Sequence, residues 1–164
     1  MVRETYAPLF DEICTKVHNA KNKEAKMAVL RQYRSPGLES FLKSGLDPNV
    51  EWLLPEGDVP YVANEAPAGT EHTMLNNQMK SAYNFVALHR AHKNEPKLIG
   101  NSTLTQARRE ILFIQTLEGL HQNEAELLIL AKDKKINKKY KGLTASMVCE
   151  AYGWNEYFEG EKKG

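Results

Sequence analysis

The chain has 164 residues, of which 41% are hydrophobic and 26% are charged, and its formal net charge is +1. This length and apolar content fit one globular domain that buries a core of its own. The balanced charge says nothing about binding partners, so any electrostatic binding must come from a local cluster. No apolar run approaches the ~18 residues that cross a membrane. Because the first residues also lack a hydrophobic signal core, we expect a cytoplasmic protein.

Three helices are predicted in the first part of the chain. In residues 6–17, apolar side chains recur at steps of three and four, and Pro8 stands in the first turn, where proline is tolerated. Asn22 is a good N-cap for a second helix that runs to about residue 34. The third helix starts at Ser35-Pro36, as N-cap and first helical residue. The positions expected to face the core are Tyr6, Leu9, Phe10, Ile13, Cys14, Val17, Ala25, Val29, Leu30, Tyr33, Leu38, Phe41, Leu42 and Leu46.

Residues 47–72 differ from the helices on either side. They hold four prolines and two glycines, a density that forbids a long helix. Their apolar content is nevertheless too high for a floating linker. We therefore predict an ordered excursion that lays Trp52 and Leu53 across the helices, with room for a short strand or a 3₁₀ turn.

Four more helices are predicted in the second half of the chain. The first spans residues 73–90 and is followed by a polar connection. Thr103 is a strong N-cap for the next helix, which runs to about residue 121. Because residues 111–114 of this helix are apolar all round, we expect it to be central. Asn123 is the predicted N-cap of the third, and the last spans residues 144–152 and ends at Gly153.

These elements predict an all-α fold. We expect a compact bundle of about six or seven helices in a single domain over residues 1–164. The proline-rich segment 47–72 would be ordered, and residues 160–164 would form a frayed tail. Cys14 and Cys149 lie in apolar helical contexts and are expected to be buried free thiols in a reducing compartment.

Residues 132–141 carry the clearest chemical signal, with six lysines in ten positions. Lysines on a mobile loop, a glycine that permits close approach and the N–H groups of a helix N-terminus together suit a phosphate backbone. Tyr140 is placed to stack or pack beside them. The alternative is a solvated loop that keeps the protein soluble. The predicted nucleic-acid-binding residues are Lys132, Lys134, Lys135, Lys138, Lys139, Lys141, Gly142 and Thr144.

No arrangement of residues in the sequence supports a catalytic centre. Glycine-rich phosphate loops, Gly-x-Ser-x-Gly elbows and His-Glu-x-x-His helices are all absent. His89 and His92 have a spacing that can share a metal, but no cysteine or carboxylate of suitable spacing accompanies them. Arg108, Arg109 and Glu110 could face solvent or an anion, and solvent is the expectation because such residues are mostly exposed. We therefore predict a protein that is not an enzyme and holds no metal or cofactor.

Two blocks of sequence resemble known proteins. The first comprises residues 9–13, 22–33 and 38–52, and the second comprises residues 107–117, 125–133, 141–144 and 148–152. Together with the Trp-Leu-Leu-Pro-Glu-Gly segment at 52–57, they resemble a family of small proteins without an assigned function from large contractile-tailed phages, including those of cyanobacteria. The resemblance covers most of the chain.

The same blocks are similar, more distantly, to the N-terminal α-helical DNA-binding domain of phage ATP-dependent DNA ligases. In that domain a loop and a glycine near a basic–acidic pair approach the DNA backbone across the minor groove. The resemblance implies that the pair is Lys132-Asp133, that the glycine is Gly142 and that Thr144 starts the following helix. The chain departs from the ligases in four respects. It has Lys132 where the ligases usually have arginine, its loop is longer, and its middle section is rich in proline. It also lacks the Lys-x-Asp-Gly motif of nucleotidyl transfer.

The function predicted from these features is that of a non-catalytic phage accessory protein that binds duplex or nicked DNA, largely independently of sequence, in the host cytoplasm. The alternative is an adaptor that engages a replication, transcription or host protein through an apolar surface at Trp52, Val59 and Tyr61. A virion component is a further alternative.

Overall fold

A computed structural model describes residues 8–47, 50–64, 73–88 and 104–153. In these ranges the backbone is mostly helical, which confirms the all-α fold class, with one 3₁₀ helix (Met79–Asn84) and two short strands, β1 (Val50–Trp52) and β2 (Val86–Leu88). The α-helices are α1 (Phe10–Asn19), α2 (Lys23–Gln32), α3 (Pro36–Leu46), α4 (Leu75–Gln78), α5 (Gln106–Gly119), α6 (Gln122–Lys132), α7 (Ile136–Lys139) and α8 (Ala145–Tyr152). Tyr6, the histidines at 89 and 92 and the predicted tail at 160–164 lie outside the described residues.

Side-chain caps fix several helix starts where the sequence predicts them. Asn22 accepts the N–H of Ala25 at 2.8 Å and begins α2. Ser35 and Thr144 cap α3 and α8 in the same way, each through its hydroxyl. Such caps satisfy N–H groups that have no partner within the helix.

The starts of α5 and α6 differ from the prediction. Thr105, not the predicted Thr103, caps α5, and it accepts the N–H of Arg108 at 3.2 Å. His121, not Asn123, caps α6, because its Nδ1 accepts the N–H of Asn123 at 3.0 Å. In both cases the chain is still extended at the true cap and turns helical at the next residue, a position that residue preference alone does not fix.

The helices meet in one apolar core. Helix α1 packs on α2 and α6, α2 packs on α8, and α3 lies against α4, α6, α7 and β1. Phe10 contacts Phe41 with ring centroids 5.5 Å apart, and Phe113 of α5 meets Phe85 edge-on at 5.3 Å. Side chains of the core with 0% exposure include Val17, Leu38, Phe41, Leu42, Leu75, Val86, Leu117, Leu120, Ala125, Ala131, Ile136, Leu143 and Val148.

The helix predicted for residues 73–90 is wrong. Within the described residues 73–88, only Leu75–Gln78 is α-helical; a 3₁₀ helix follows, and Val86–Leu88 pairs antiparallel with β1 in the register Val50↔Leu88. The apolar spacing of this stretch suits a helix or a strand, and short apolar runs do not distinguish them. The short strand foreseen in the proline-rich segment supplies the hydrogen-bonding partner that decides the outcome.

Helix α5 does not present the predicted faces. Ile111 is 47% exposed, while Arg109 is only 8% exposed. The Arg109 guanidinium donates to the carbonyl of Asn84 at 3.0 Å and to Oε1 of Gln106 at 2.7 Å. Because these acceptors satisfy its N–H groups, the charged guanidinium can be buried in the protein interior. The expectation that Arg109 faces solvent is therefore wrong. Arg108 is exposed.

Cys14 and Cys149 are buried, and in the part of the chain that the structure describes they form no disulfide. Burial raises the pKa of the Cys14 thiol to about 12, because the apolar surroundings disfavour the thiolate. Among the described helices, none has both the length and the apolar character needed to cross a bilayer.

Candidate nucleic-acid interface

The six lysines of residues 132–141 divide into two groups. Lys132, Lys134 and Lys135 point their ammonium groups at the stretch that follows α3, residues 47–57. Lys138, Lys139 and Lys141 are exposed on α7 and the turn after it. We call the second group the exposed lysine patch.

Lys132 fastens the proline-rich segment to α6. Its side chain is 1% exposed, and its ammonium group donates to the carbonyls of Pro55 at 2.7 Å and Gly57 at 3.1 Å and to Asp133 at 2.6 Å. Three acceptors use all three of its hydrogens. Asp133 also accepts the N–H of Gly57, whose φ of +105° suits glycine. We call residues 53–57 the strap. Because the Lys132 side chain is buried and its ammonium hydrogens are all bonded, phosphate cannot reach it, and the prediction that Lys132 belongs to the interface is wrong.

Lys134 ends α6 and binds the chain after α3. Its φ is +59°, and the N–H groups of Lys134 and Lys135 donate to the carbonyls of Ala131 and Leu130, the pattern of a Schellman cap. Glycine usually occupies this position, but here the lysine directs its ammonium to the carbonyl of Asp47 at 2.6 Å. Burial of that ammonium lowers the pKa of Lys134 to about 8, although the charge of Asp47 acts the other way.

Lys135 makes a weaker contact with the strap. Its ammonium lies 3.8 Å from the Glu56 carboxylate, and the two side chains are 45% and 72% exposed. An exposed pair of this kind contributes about 0–1 kcal/mol. Lys135 is therefore partly available to a ligand, with an acidic neighbour beside it.

The exposed lysine patch stands on a fixed backbone. Ile136, at the start of α7, is fully buried, and Tyr140, directly after α7, is 6% exposed. The side-chain amide of Asn137 donates to the carbonyls of Lys141 at 3.2 Å and Leu143 at 2.8 Å, which closes the turn. In the described residues, no ion pair engages Lys138, Lys139 or Lys141. Three cations are thus presented to solvent from a turn that is pinned at both ends.

Gly142 has a structural role next to α1. A Cβ at this position would lie 3.0 Å from both Cε and Nζ of Lys26. The Lys26 ammonium donates to the carbonyls of Val17, His18 and Ala20 at 3.2, 3.1 and 2.7 Å, so it caps the C-terminus of α1. The absence of a side chain at 142 therefore gives Lys26 room, whether or not a ligand approaches.

The last two predicted features of this interface are Thr144 and Tyr140. Thr144 caps α8 and is half-buried, with its hydroxyl oxygen accepting the N–H of Met147 at 3.2 Å. Tyr140 packs inside, edge-on to the imidazole of His18 with ring centroids 6.2 Å apart. Its ring is therefore a support for the patch and not a surface on which bases stack.

The apolar surface proposed for an adaptor is mostly part of the core. Trp52 is 7% exposed; its indole N–H donates to the carbonyl of Ser44 at 2.9 Å, and its ring meets Phe113. Val59 and Tyr61 are half-buried and pack against the core. The expectation that Trp52 is a contact surface is therefore wrong. Val62, which the sequence reasoning missed, is 75% exposed, and its N–H donates to Glu118 at 2.9 Å.

Carboxylates of α1 line a separate depression of about 550 Å³, open to solvent, with Pro8, Asp11, Glu12, Thr15, Lys16 and Tyr33 at its walls. One oxygen of Asp11 is buried and has no hydrogen-bond partner among the described residues. Burial, followed by the charge of Glu12, raises the pKa of Asp11. Across the described ranges no three His, Cys, Asp or Glu side chains come together as metal ligands.

Comparison with known proteins places the chain in a family. No match was found among curated proteins or among solved structures. The model of a family of unknown function, DUF6433, matches residues 13–138, which is more than half of the chain. The matched region includes the strap and its lysine partners, and it ends within α7. The chain therefore belongs to DUF6433.

Proposed function

We propose that this chain is a non-catalytic accessory protein of a phage that binds duplex or nicked DNA through backbone phosphates in the host cytoplasm. The observation that carries the proposal is the exposed lysine patch, in which Lys138, Lys139 and Lys141 stand on a pinned backbone without ion-pair partners in the described residues. Phosphate contacts of this kind supply affinity with little dependence on base sequence.

The fixed geometry favours a binding role over a solvated loop. A loop that serves solubility alone needs no defined backbone. Here Lys132 and Lys134 secure one end of the segment, and the buried Ile136 and Tyr140 secure α7. A cationic surface arranged in advance loses less entropy when it binds.

Duplex DNA suits this patch better than single strands do. Proteins that bind single strands combine a cationic groove with exposed aromatic rings on which bases stack. Tyr140 is the aromatic residue of this segment, and it is buried. Contacts to phosphates alone favour the regular backbone of a duplex.

Fluorescence anisotropy with labelled intact duplex, nicked duplex and single-stranded DNA tests the proposal. The variant Lys138→Glu/Lys139→Glu is expected to bind duplex at least about tenfold more weakly than wild type, since two phosphate contacts become repulsive. The control is Lys80→Glu/Arg108→Glu, which changes the net charge by the same amount. Both residues are exposed and lie on the 3₁₀ helix and on α5, whereas α7 packs mainly on α3 and α6.

The control variant is expected to keep wild-type affinity within about twofold and both variants to keep wild-type stability within about 0.5 kcal/mol. Equal losses in both variants would mean that net charge, and not the patch, attracts DNA. If wild type fails to bind any of the three DNAs at low salt, the proposal is wrong.

A protein-binding adaptor is the second candidate, and Val62 is the observation that favours it. Val62 is more exposed than Ile111, the other large hydrophobic residue found exposed in the described ranges. The variant Val62→Ser should then lower recovery of a phage or host partner in a pull-down and leave DNA binding unchanged. Recovery equal to that of wild type would remove this surface from consideration.

A further inference from the structure

His18 lies beside the exposed lysine patch, although it comes from the opposite end of the sequence. It is exposed in the last turn of α1, and its imidazole and the Tyr140 ring are T-shaped, with centroids 6.2 Å apart and an angle of 73° between the ring planes. The Lys139 ammonium lies 5.5 Å from the centre of the same ring. The buried Tyr140 ring therefore has two side chains beside it that can be cationic, His18 from α1 and Lys139 from α7.

The C-terminus of α1 would ordinarily repel an anion, because the last carbonyls of a helix carry partial negative charge. Here the Lys26 ammonium from α2 donates to three of those carbonyls, including that of His18 itself. Lys26 is in turn beside Gly142, in the turn after Lys141. The negative pole of α1 is thus compensated at the place where His18 meets the patch.

We propose that the imidazolium of His18 and the ammonium of Lys139 form an anion site that holds one backbone phosphate of bound DNA. The identity of the ligand rests on the proposed function, but the site itself rests only on these contacts. The groups around it are the Lys26 ammonium from α2, Lys139 and Tyr140 from α7 and its end, and the buried thiol of Cys14 one turn earlier on α1. No carboxylate forms an ion pair with His18 in the described ranges.

The site should strengthen in acid. Because only a protonated imidazole attracts phosphate, the affinity for duplex should be higher at pH 5.5 than at pH 8. One additional phosphate contact at 0.1 M salt raises affinity by up to about eightfold through counterion release. The gain should be absent in His18→Gln, which keeps a polar side chain without the charge.

Two measurements together test the site. The first is duplex affinity at pH 5.5 and pH 8 at constant ionic strength, for wild type and His18→Gln. Asp11 and Glu124 have raised pKa values and also gain protons in acid, and the His18→Gln variant separates their effect. A pH dependence that survives in His18→Gln, or its absence in wild type, would overturn the inference and leave the proposed function standing.

The second measurement is an NMR titration of the histidine ring signals at pH 7 with inorganic pyrophosphate, which needs no DNA. The His18 signals are expected to shift in wild type and not in Lys139→Glu, while His121, which caps α6 through Nδ1, serves as the internal control. A wild type that fails to bind duplex but shows this shift would retain the anion site and reject DNA as its ligand. Unshifted His18 signals would reject the site.

Discussion

The carboxylate of Glu124 joins the N-termini of two helices. Its side chain is fully buried, with Oε2 accepting the N–H of Phe10 at 2.8 Å and Oε1 accepting the N–H of Leu75 at 2.9 Å. Both residues begin a helix, so the negative charge also meets two positive helix ends. Burial nevertheless raises the pKa of Glu124, since loss of water outweighs these bonds.

The variant Glu124→Gln should therefore destabilise the protein. The amide keeps one acceptor, so its NH₂ group would face one of the two buried N–H donors and leave it without a partner. This costs about 1–3 kcal/mol of unfolding free energy, which urea denaturation would measure. Glu126→Gln on the exposed face of α6 is the control, with an expected change within about 0.5 kcal/mol. Equal effects of the two changes would contradict the role of Glu124.

Lys134 gives a prediction about stability in alkali. Its pKa is about 8 in the folded protein, against an ordinary value of 10.5. Below pH 8 both states are protonated, and the folded state bears the cost of a partly desolvated ammonium. As pH rises from about 8 to 10.5, the folded state loses the proton first, so the free energy of unfolding rises across this window and then levels.

Because the thiol of Cys14 and several tyrosines also titrate in alkali, the quantity to measure is the difference in unfolding free energy between wild type and a variant. We expect the stability of wild type relative to Lys134→Met to increase between pH 8 and pH 10.5. The stability of wild type relative to Lys138→Met, which removes an exposed lysine, should stay nearly constant over the same pH range. The same profile for both variants would show that burial leaves the Lys134 pKa unchanged.

At the scale of elements, Gly45 sets how closely α3 packs on α6 and α7. A Cβ at this position would overlap Cδ1 of Ile136 and lie 3.1 Å from the Cβ of Ala131. Gly45→Ala should destabilise the protein by about 1–3 kcal/mol through overpacking, reduced by up to about 1 kcal/mol from the better helix propensity of alanine.

Thermal denaturation would measure this change, and two variants serve as controls. Among the described residues, a Cβ at Gly119 in α5 would meet only Thr73 Oγ1, at 3.5 Å, so Gly119→Ala should be neutral or stabilising. Adding Ile136→Val to Gly45→Ala removes the overlapping methyl group and should recover part of the loss. If Gly45→Ala were as stable as wild type, the close crossing would be contradicted.

Local signals in the sequence predicted the helices whose ends they define. Asn22, Ser35 and Thr144 cap the predicted helices, and α8 ends at Gly153, whose φ is +73°. The helix predicted for 73–90 failed because β1 offered Val86–Leu88 a partner more than thirty positions earlier in the chain. Periodicity reports the face that a segment buries, and tertiary partners decide its backbone.

At the scale of the whole molecule, the candidate site illustrates the same limit. The sequence identifies the lysine-rich segment but cannot separate Lys132 from Lys138, since their side chains are identical. The difference comes from the carbonyls of Pro55 and Gly57, which lie more than seventy positions away from Lys132. Likewise, only the fold brings His18 to Tyr140.

This division of the lysines has a direct electrostatic consequence. Each lysine–phosphate contact with duplex DNA contributes about −0.9 to the slope of log Kobs against log salt concentration. The three lysines of the exposed lysine patch therefore predict a slope of about −2.7, and contacts from all six lysines of residues 132–141 would give about −5.4. Measurement at pH 8 keeps the contribution of histidines to the slope small, since imidazoles lose their charge as pH rises.

The measurement that tests the central claim most directly is this slope, from anisotropy titrations of a labelled duplex between 50 and 200 mM salt at pH 8. We predict that wild type loses about 40-fold in affinity over this range and that Lys138→Glu/Lys139→Glu removes most of the salt dependence. A slope near −5 would contradict the division of the lysines, and no binding at 50 mM salt would contradict DNA binding itself.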